Sequence, residues 1–165
     1  MPLAPELFRE IMACFPTGVA IVTAREAGRR PRGLTLSAFC PVSLEPPLVL
    51  VCVDKASNTL AALQAAGGFT VNFLAGGREH LAALYASKAD EKFEGIAWRM
   101  PRTSEGGPIL QEDCAAYAVC VTRRAIEAGD HWVFIGEVLE GGAIDGRVPL
   151  VYHRRAFLDL VDLDI

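Results

Sequence analysis

The sequence predicts a mainly β fold, an antiparallel barrel with a few peripheral helices. Three observations carry that expectation. About seven short runs rich in β-branched and aromatic residues are separated by turns containing Gly or Pro. The helix-patterned segments do not alternate regularly with these runs, as a doubly wound sheet would require. Neither a Walker A loop nor a GxGxxG turn is present, so any nucleotide must be held in a non-Rossmann way.

The elements follow in order. Leu7, Phe8, Ile11 and Met12 recur at helical spacing after Pro5, which predicts a short helix over 5–14 ended by the turn Phe15-Pro16-Thr17-Gly18. Residues 19–24 form a short β-branched strand. A basic, Gly-containing loop leads to a strand over 34–39, and the stiff Glu45-Pro46-Pro47 turn leads to the apolar strand 48–53. Ser57-Asn58-Thr59 offers an N-cap for a helix through Leu60 and Leu63 that stops at Gly67-Gly68. A strand over 69–74 and a helix over 78–87 come next, the latter carrying Leu81, Leu84 and Tyr85, and a charged surface loop spans 88–95. Residues 115–124 and 131–139, joined around Gly129-Asp130, read as a long hairpin, and 149–162 supply one or two further strands.

The chain has 165 residues, 52% of them hydrophobic, which suits one domain burying about 70% of its unfolded surface. Its 16 Lys and Arg are scattered and outnumbered by 20 Asp and Glu, for a net charge of −4. That leaves no footprint for a nucleic-acid backbone or an anionic membrane. The N-terminus lacks the basic and apolar regions of a secretory signal, and the longest apolar run, 46–53, is too short to span a bilayer. A soluble, cytoplasmic protein is expected. Cys14, Cys40, Cys52, Cys114 and Cys120 are odd in number and contain no CxxC pair, so they read as small buried hydrophobes, with neither disulfides nor a metal site.

Residues 33–53 form the most informative stretch. Thr35, Ser37 and Ser43 place hydroxyls among small or apolar neighbours, where backbone N–H groups can approach a planar or anionic molecule. Each hydroxyl taken singly also fits a half-exposed strand. Asp54-Lys55-Ala56-Ser57-Asn58-Thr59 lies where a buried strand opens into a helix, the outline of a phosphate site, although a capped helix start with solvated charges gives the same pattern. His131 opens an aromatic, β-branched strand after a Gly-Asp turn and can stack on or hydrogen-bond a ligand at the barrel mouth, although a structural or surface histidine taken singly fits the same position better. Tyr152-His153-Arg154-Arg155 can bring an aromatic edge and positive charge to an anion, and a strand running into a solvated basic turn gives the same pattern. A cysteine nucleophile at Cys40 is disfavoured, since nothing local activates it.

Together the blocks FPTGVAIVTA, GLTLSAFCPVSLEPPLVLVCVDKASNT, GDHWVFIGEV and PLVYHRRAF resemble the short-chain flavin reductase family over nearly the whole chain. The resemblance implies one FMN-binding domain over 1–165, a homodimeric Greek-key split barrel with flavin near the subunit interface. Thr35, Leu36, Ser37 and Ala38 would lie along the isoalloxazine with Ser43 close by. Asp54, Lys55, Ser57, Asn58 and Thr59 would take the ribityl chain and phosphate. His131 would sit at the nicotinamide site, Tyr152 and His153 would line the flavin or nicotinamide side, and Lys92 and Phe93 match a recurring DKF element. The implied activity is reduction of FMN or FAD by NADH or NADPH, by direct hydride transfer to flavin N5, supplying a partner monooxygenase. A non-enzymatic flavin carrier or store of the same fold is the alternative. Where the family commonly has a Ser or Thr pair, this chain has Cys40 and Pro41, and Pro41 lacks both a hydroxyl and a backbone donor.

Overall fold

The computed structural model describes residues 1–25 and 28–160. Helix α1 (Pro5–Ala13) precedes β1 (Thr17–Gly18), β2 (Ala20–Ala24), β3 (Arg32–Leu36), β4 (Phe39–Ser43) and β5 (Leu48–Asp54). Helix α2 (Leu60–Ala66), β6 (Gly68–Leu74) and helix α3 (Glu79–Ala86) follow. The long hairpin β7 (Cys114–Ala128) and β8 (His131–Ala143) and the short hairpin β9 (Leu150–His153) and β10 (Ala156–Asp159) complete the described elements. The expected elements are present, with two adjustments. Residues 17–18 are a strand paired with β9, not a plain turn, and the stretch expected as one strand over 34–39 divides at Ser37-Ala38. Of the segment 149–162 expected as strand, residues 161 and 162 lie outside the described residues.

Seven strands pair antiparallel in the order β3-β2-β6-β7-β8-β5-β4, and β1-β9-β10 form a second sheet. Strands β3 and β4 are consecutive in the chain yet occupy opposite edges of the large sheet, separated only by Ser37 and Ala38. Laid flat, the two edges would stand about 29 Å apart at the usual strand spacing. Three Cα–Cα steps from Leu36 to Phe39 allow at most about 11 Å. The sheet must therefore curl into a barrel that residues 37–38 close covalently while no ladder joins β3 to β4. Ala38 helps hold this seam, its carbonyl accepting the Cys52 N–H at 3.0 Å. The antiparallel Greek-key split barrel expected from the sequence is the fold observed.

Inside the barrel Val22, Val51, Val53, Phe69, Val71 and Phe134 form one core with Leu63 of α2. A second core lies outside β2 and β6, where Ile21 and Leu74 pack against Leu81, Ala82 and Tyr85 of α3 and against Leu110 and Leu150. Strand β2 is consequently buried along its full length, which explains its lack of polar alternation. Three buried polar side chains on these strands grip a segment for which the sequence predicted no structure. Thr23 Oγ1 donates to the Pro108 carbonyl (2.7 Å), Thr70 Oγ1 to the Gly107 carbonyl (2.8 Å), and Asn72 Oδ1 accepts the Leu110 N–H (2.9 Å).

Two expectations need correction. Only Cys114 and Cys120 are buried; Cys14 and Cys40 are exposed and Cys52 is half-buried. Helix α2 starts at Leu60 without a side-chain cap, because Ser57 Oγ accepts the Thr59 N–H (3.2 Å) ahead of the helix while Thr59 Oγ1 donates to the Gly33 carbonyl (3.0 Å). Helix α1 forms as its spacing predicts but buries none of its residues, and Leu7, Phe8, Ile11 and Met12 remain 45–54% exposed.

Candidate functional site

The open edge of β3 organises the site. The Gly33 carbonyl points away from β2, since it accepts hydrogen bonds from Thr59 Oγ1 (3.0 Å) and Lys92 Nζ (3.2 Å). Backbone direction alternates along an antiparallel strand, so the N–H and C=O of Thr35 face the same unpaired edge. Three hollows line up along this strand, the first two sharing Thr35 and Ala86, the second and third sharing Leu36 and Ser37. Together they make a groove along 34–38.

At one end is a polar hollow of about 210 Å³ between Asp54, Ser57 and Asn58 on one side and Lys88 and Lys92 on the other. The loop over 54–59 is shaped by its own side chains, with Asp54 Oδ1 accepting the Ala56 N–H (2.7 Å) and Lys88 Nζ donating to the Ala56 carbonyl (2.7 Å). Lys92 is 8% exposed, and among the described residues its ammonium donates only to the carbonyls of Gly33 and Tyr85 (2.9 Å). Burial first, then the neighbouring charges of Lys88 and Arg32, lower its pKa below the ordinary lysine value. Its sequence neighbours are occupied elsewhere, Asp90 with Arg32 and Glu91 with Arg30. A buried cation without a carboxylate partner, on the wall of a hollow, is a site that wants an anion.

The middle hollow, about 260 Å³, lies between β3 and the alanine face of α3, Ala82, Ala83 and Ala86, with Tyr152 and Phe157 opposite. Their rings pack at 5.3 Å and 54°. At the far end an apolar cleft of about 810 Å³ opens at the barrel seam, where Ser37, Ala38 and Phe39 meet Cys52, Met12 near the end of α1, and Phe15 beyond it. A long, narrow ligand with an anionic end and a planar apolar end fits this sequence of surfaces.

The residues singled out from the sequence divide accordingly. Thr35, Leu36, Ser37, Ala38, Asp54, Ser57, Asn58, Lys92 and Tyr152 line the groove. The Thr35 hydroxyl is committed to the Ala82 carbonyl (2.7 Å), so what Thr35 offers a ligand is backbone. Thr59 and Phe93 line the adjoining crevice with Lys92, and the Phe93 ring packs edge-on against Tyr85 at 5.3 Å. Lys55 turns away to pair with Glu127 on the β7–β8 hairpin, and its N–H donates to the Asp130 carbonyl at 3.0 Å. Ser43 sits on β4 opposite Leu48, beyond the groove, and His153 follows Tyr152 on β9 without lining the groove. His131 is the cross-strand partner of Asp54, which brings it beside the polar hollow. Its Nδ1 lies 2.7 Å from Asp130 Oδ1, and this hydrogen bond holds the Asp130 carboxyl below the usual range. With Nδ1 as the donor, a neutral ring presents Nε2 as an acceptor.

Lys88, Cys52 and the alanine face of α3 were not singled out from the sequence. The alanines carried a signal, since small residues at 82, 83 and 86 leave room beside a helix. Cys40 also lines the cleft, and Pro41 lies on an edge strand next to a register shift, where a sheet tolerates a residue without an N–H. Restoring Cys40→Ser and Pro41→Thr together is expected to tighten a ligand at the seam about three- to tenfold, the value of one neutral hydrogen bond. Titration of the double variant against wild type measures it. Among the described residues no cluster of His, Cys, Asp or Glu could hold a metal ion, and no helix is long and apolar enough to cross a membrane.

Residues 12–160 match the model of a flavin reductase like domain. The flavin reductase (NADH) of Kitasatospora aureofaciens is 41% identical over 163 residues, covering 95% of this chain and 85% of the relative. The flavin reductase (NADPH) of Lentzea aerocolonigenes is 37% identical over 149 residues, covering 90% and 86%. The reductase subunit HsaB of a flavin-dependent monooxygenase from Rhodococcus jostii is 37% identical over 150 residues, covering 91% and 75%. Among solved structures, the NADH:FAD oxidoreductase SgcE6 of Streptomyces globisporus, in complex with NAD and FAD fragments, superposes with a TM-score of 0.90 at 32% identity over 100% of this chain and 99% of that one.

Proposed function

Because the chain belongs to the flavin reductase family, we propose that it reduces FMN or FAD at the expense of NADH or NADPH in the groove along β3. The observation that carries this placement is the open backbone edge at Thr35, set between a hollow with an unneutralised buried lysine and an apolar cleft at the barrel seam. When bound, flavin supplies a two-electron acceptor for the hydride of a reduced nicotinamide. The chain's residues do the positioning. The Thr35 and Ser37 backbone holds the ring edge, Lys92 and Lys88 neutralise the phosphate with Ser57 and Asn58 beside them, and the seam around Ala38 and Phe39 excludes water. The scarcity of acids and bases in the groove fits this chemistry, which needs stacking at roughly 3–3.5 Å and no proton relay.

His131 would receive the nicotinamide, as the family resemblance implies, with its Nδ1 held by Asp130. The His131→Ala variant is expected to raise the KM for the nicotinamide substrate roughly tenfold, the value of one hydrogen bond to a polar group, with flavin binding retained. Steady-state kinetics with flavin and dinucleotide varied in turn separate the two. An unchanged dinucleotide KM removes His131 from the site.

Met12 of the uncovered α1 stripe and Phe15, which is 73% exposed, border the seam cleft, and with the rest of the stripe they support a homodimer in which a second copy closes that face. Sedimentation is expected to give twice the monomer mass; a monomer at micromolar concentration contradicts this. The reduced product is handed to a flavin-dependent monooxygenase, as befits a chain similar to a monooxygenase reductase subunit. Oxidation of NADH and NADPH in the presence of FMN, FAD or riboflavin tests the activity. Flavin-dependent consumption of the nicotinamide is expected, and none with any flavin refutes the proposal.

A further inference from the structure

The β9–β10 hairpin closes on Arg154 and Arg155, whose φ angles are +49° and +64°. They are the two non-glycine residues with positive φ among the described residues. A two-residue turn with both central residues left-handed is type I′, which Asn-Gly fills at least cost and which a Cβ at both positions disfavours. Strain held in this way points to a use. Neither guanidinium has an ion pair or hydrogen bond among the described residues, whereas Arg30, Arg32, Arg78, Arg99, Arg123 and Arg147 are all engaged. The turn is also anchored, the Arg154 N–H donating to the Ala13 carbonyl (3.1 Å) at the end of α1. Its flanking residues Tyr152 and Phe157 form the groove wall opposite Thr35, two residues or about 7 Å of strand away. An acidic chain thus fixes two unpaired cations at the rim of its site.

We propose that Arg154 and Arg155 clasp a phosphate group of the nicotinamide dinucleotide. This rests on the reading of the groove as a flavin reductase site. Planar guanidinium forks suit phosphate oxygens, and the flavin's own phosphate is already served by Lys88 and Lys92 in the separate polar hollow. The same anion chemistry has two sources, the 2′-phosphate found in NADPH alone and the pyrophosphate common to NADPH and NADH.

The decisive variant is Arg154→Asn with Arg155→Gly, which removes both cations while giving the turn its preferred residues. Its Tm is expected to rise by about 2–4 °C. Its dinucleotide KM is expected to rise roughly ten- to a hundredfold, the value of charged hydrogen bonds, with kcat at saturation retained. A rise for NADPH alone assigns the 2′-phosphate, and an equal rise for both assigns the pyrophosphate. The Arg154→Gln, Arg155→Gln variant, which keeps the strained turn without its charge, must show the same rise. Raising ionic strength should weaken dinucleotide use in the wild type and much less in either variant. KM values within twofold of wild type in both variants, with both dinucleotides, overturn the clasp. Wild-type flavin reduction in the same assay tests the underlying activity separately.

Discussion

Replacing Lys92 with methionine is expected to raise the KM for flavin roughly ten- to a hundredfold, the value of a charge-assisted contact to phosphate, while kcat at saturating flavin stays near wild type. Methionine keeps the length and apolar character of the stem, so the wall of the hollow is preserved and the charge alone is lost. The expectation follows from the position of Lys92, which is 8% exposed, hydrogen-bonded to two carbonyls, and without a carboxylate partner among the described residues. It extends to pH. Burial and two nearby cations lower the Lys92 pKa, so between its folded pKa and the ordinary lysine value the unfolded chain binds more protons than the folded one. In that alkaline window the Lys92 contribution to stability increases as pH rises, while flavin affinity falls because the cation is lost. Flavin KM measured against pH should therefore climb on the alkaline side in the wild type and lose this limb in Lys92→Met. The same profile in both proteins removes Lys92 from flavin binding.

The largest effect on stability is expected at Gly107. A Cβ there would lie 2.5 Å from Ala24 N and from the Thr23 carbonyl carbon, and 2.7 Å from Ala24 Cα. All three are backbone atoms of a fully buried strand, so no rotamer change relieves the clash. Displacing the segment would also break the bonds between Thr70 and Gly107 and from Thr23 to Pro108, leaving buried polar groups unpaired. Gly107→Ala should cost about 3 kcal/mol or more in chemical denaturation. Gly146→Ala is a useful comparison, because space around its Cβ is open and only its φ of +76° resists. A loss at Gly107 no greater than that at Gly146 contradicts the packing account.

Much of the fold was legible because its strands are encoded locally. The β-branched run at 19–24, the apolar run at 48–53 and the Gly129-Asp130 turn each specify their structure without distant partners. Gly129, with φ +61°, is the first of two turn residues, where a type II′ hairpin requires glycine. What could not be read is long-range register. Nothing within 33–43 announces that its two halves pair at opposite edges of one sheet, yet that separation creates the seam and the groove. Residues 97–113 lack periodicity because their order comes from Thr23, Thr70 and Asn72 on other strands.

The site was legible by residue type more than by role. Thr35 and Thr59 looked like ligand hydroxyls, but folding spends both on carbonyls, at Ala82 and Gly33, and leaves the backbone of β3 as the holding surface. Lys92 lies in the run Asp90-Glu91-Lys92, which reads as a solvated surface. Its isolation appears only when Arg32 and Arg30 draw the two carboxylates away. Lys55 shows the reverse case, a candidate phosphate contact that Glu127 claims across 72 residues of chain. In each case an ion pair or carbonyl distant in sequence decided which polar groups remained for a ligand.

The most direct test of the groove is a crystal structure with bound FMN or FAD. The isoalloxazine is expected along Thr35–Ala38 with its face toward the seam cleft, and the phosphate beside Ser57, Asn58, Lys88 and Lys92. A flavin whose phosphate lies instead in a separate hollow of about 370 Å³ lined by Arg78 and Arg147, or whose ring does not touch residues 35–38, would contradict the account.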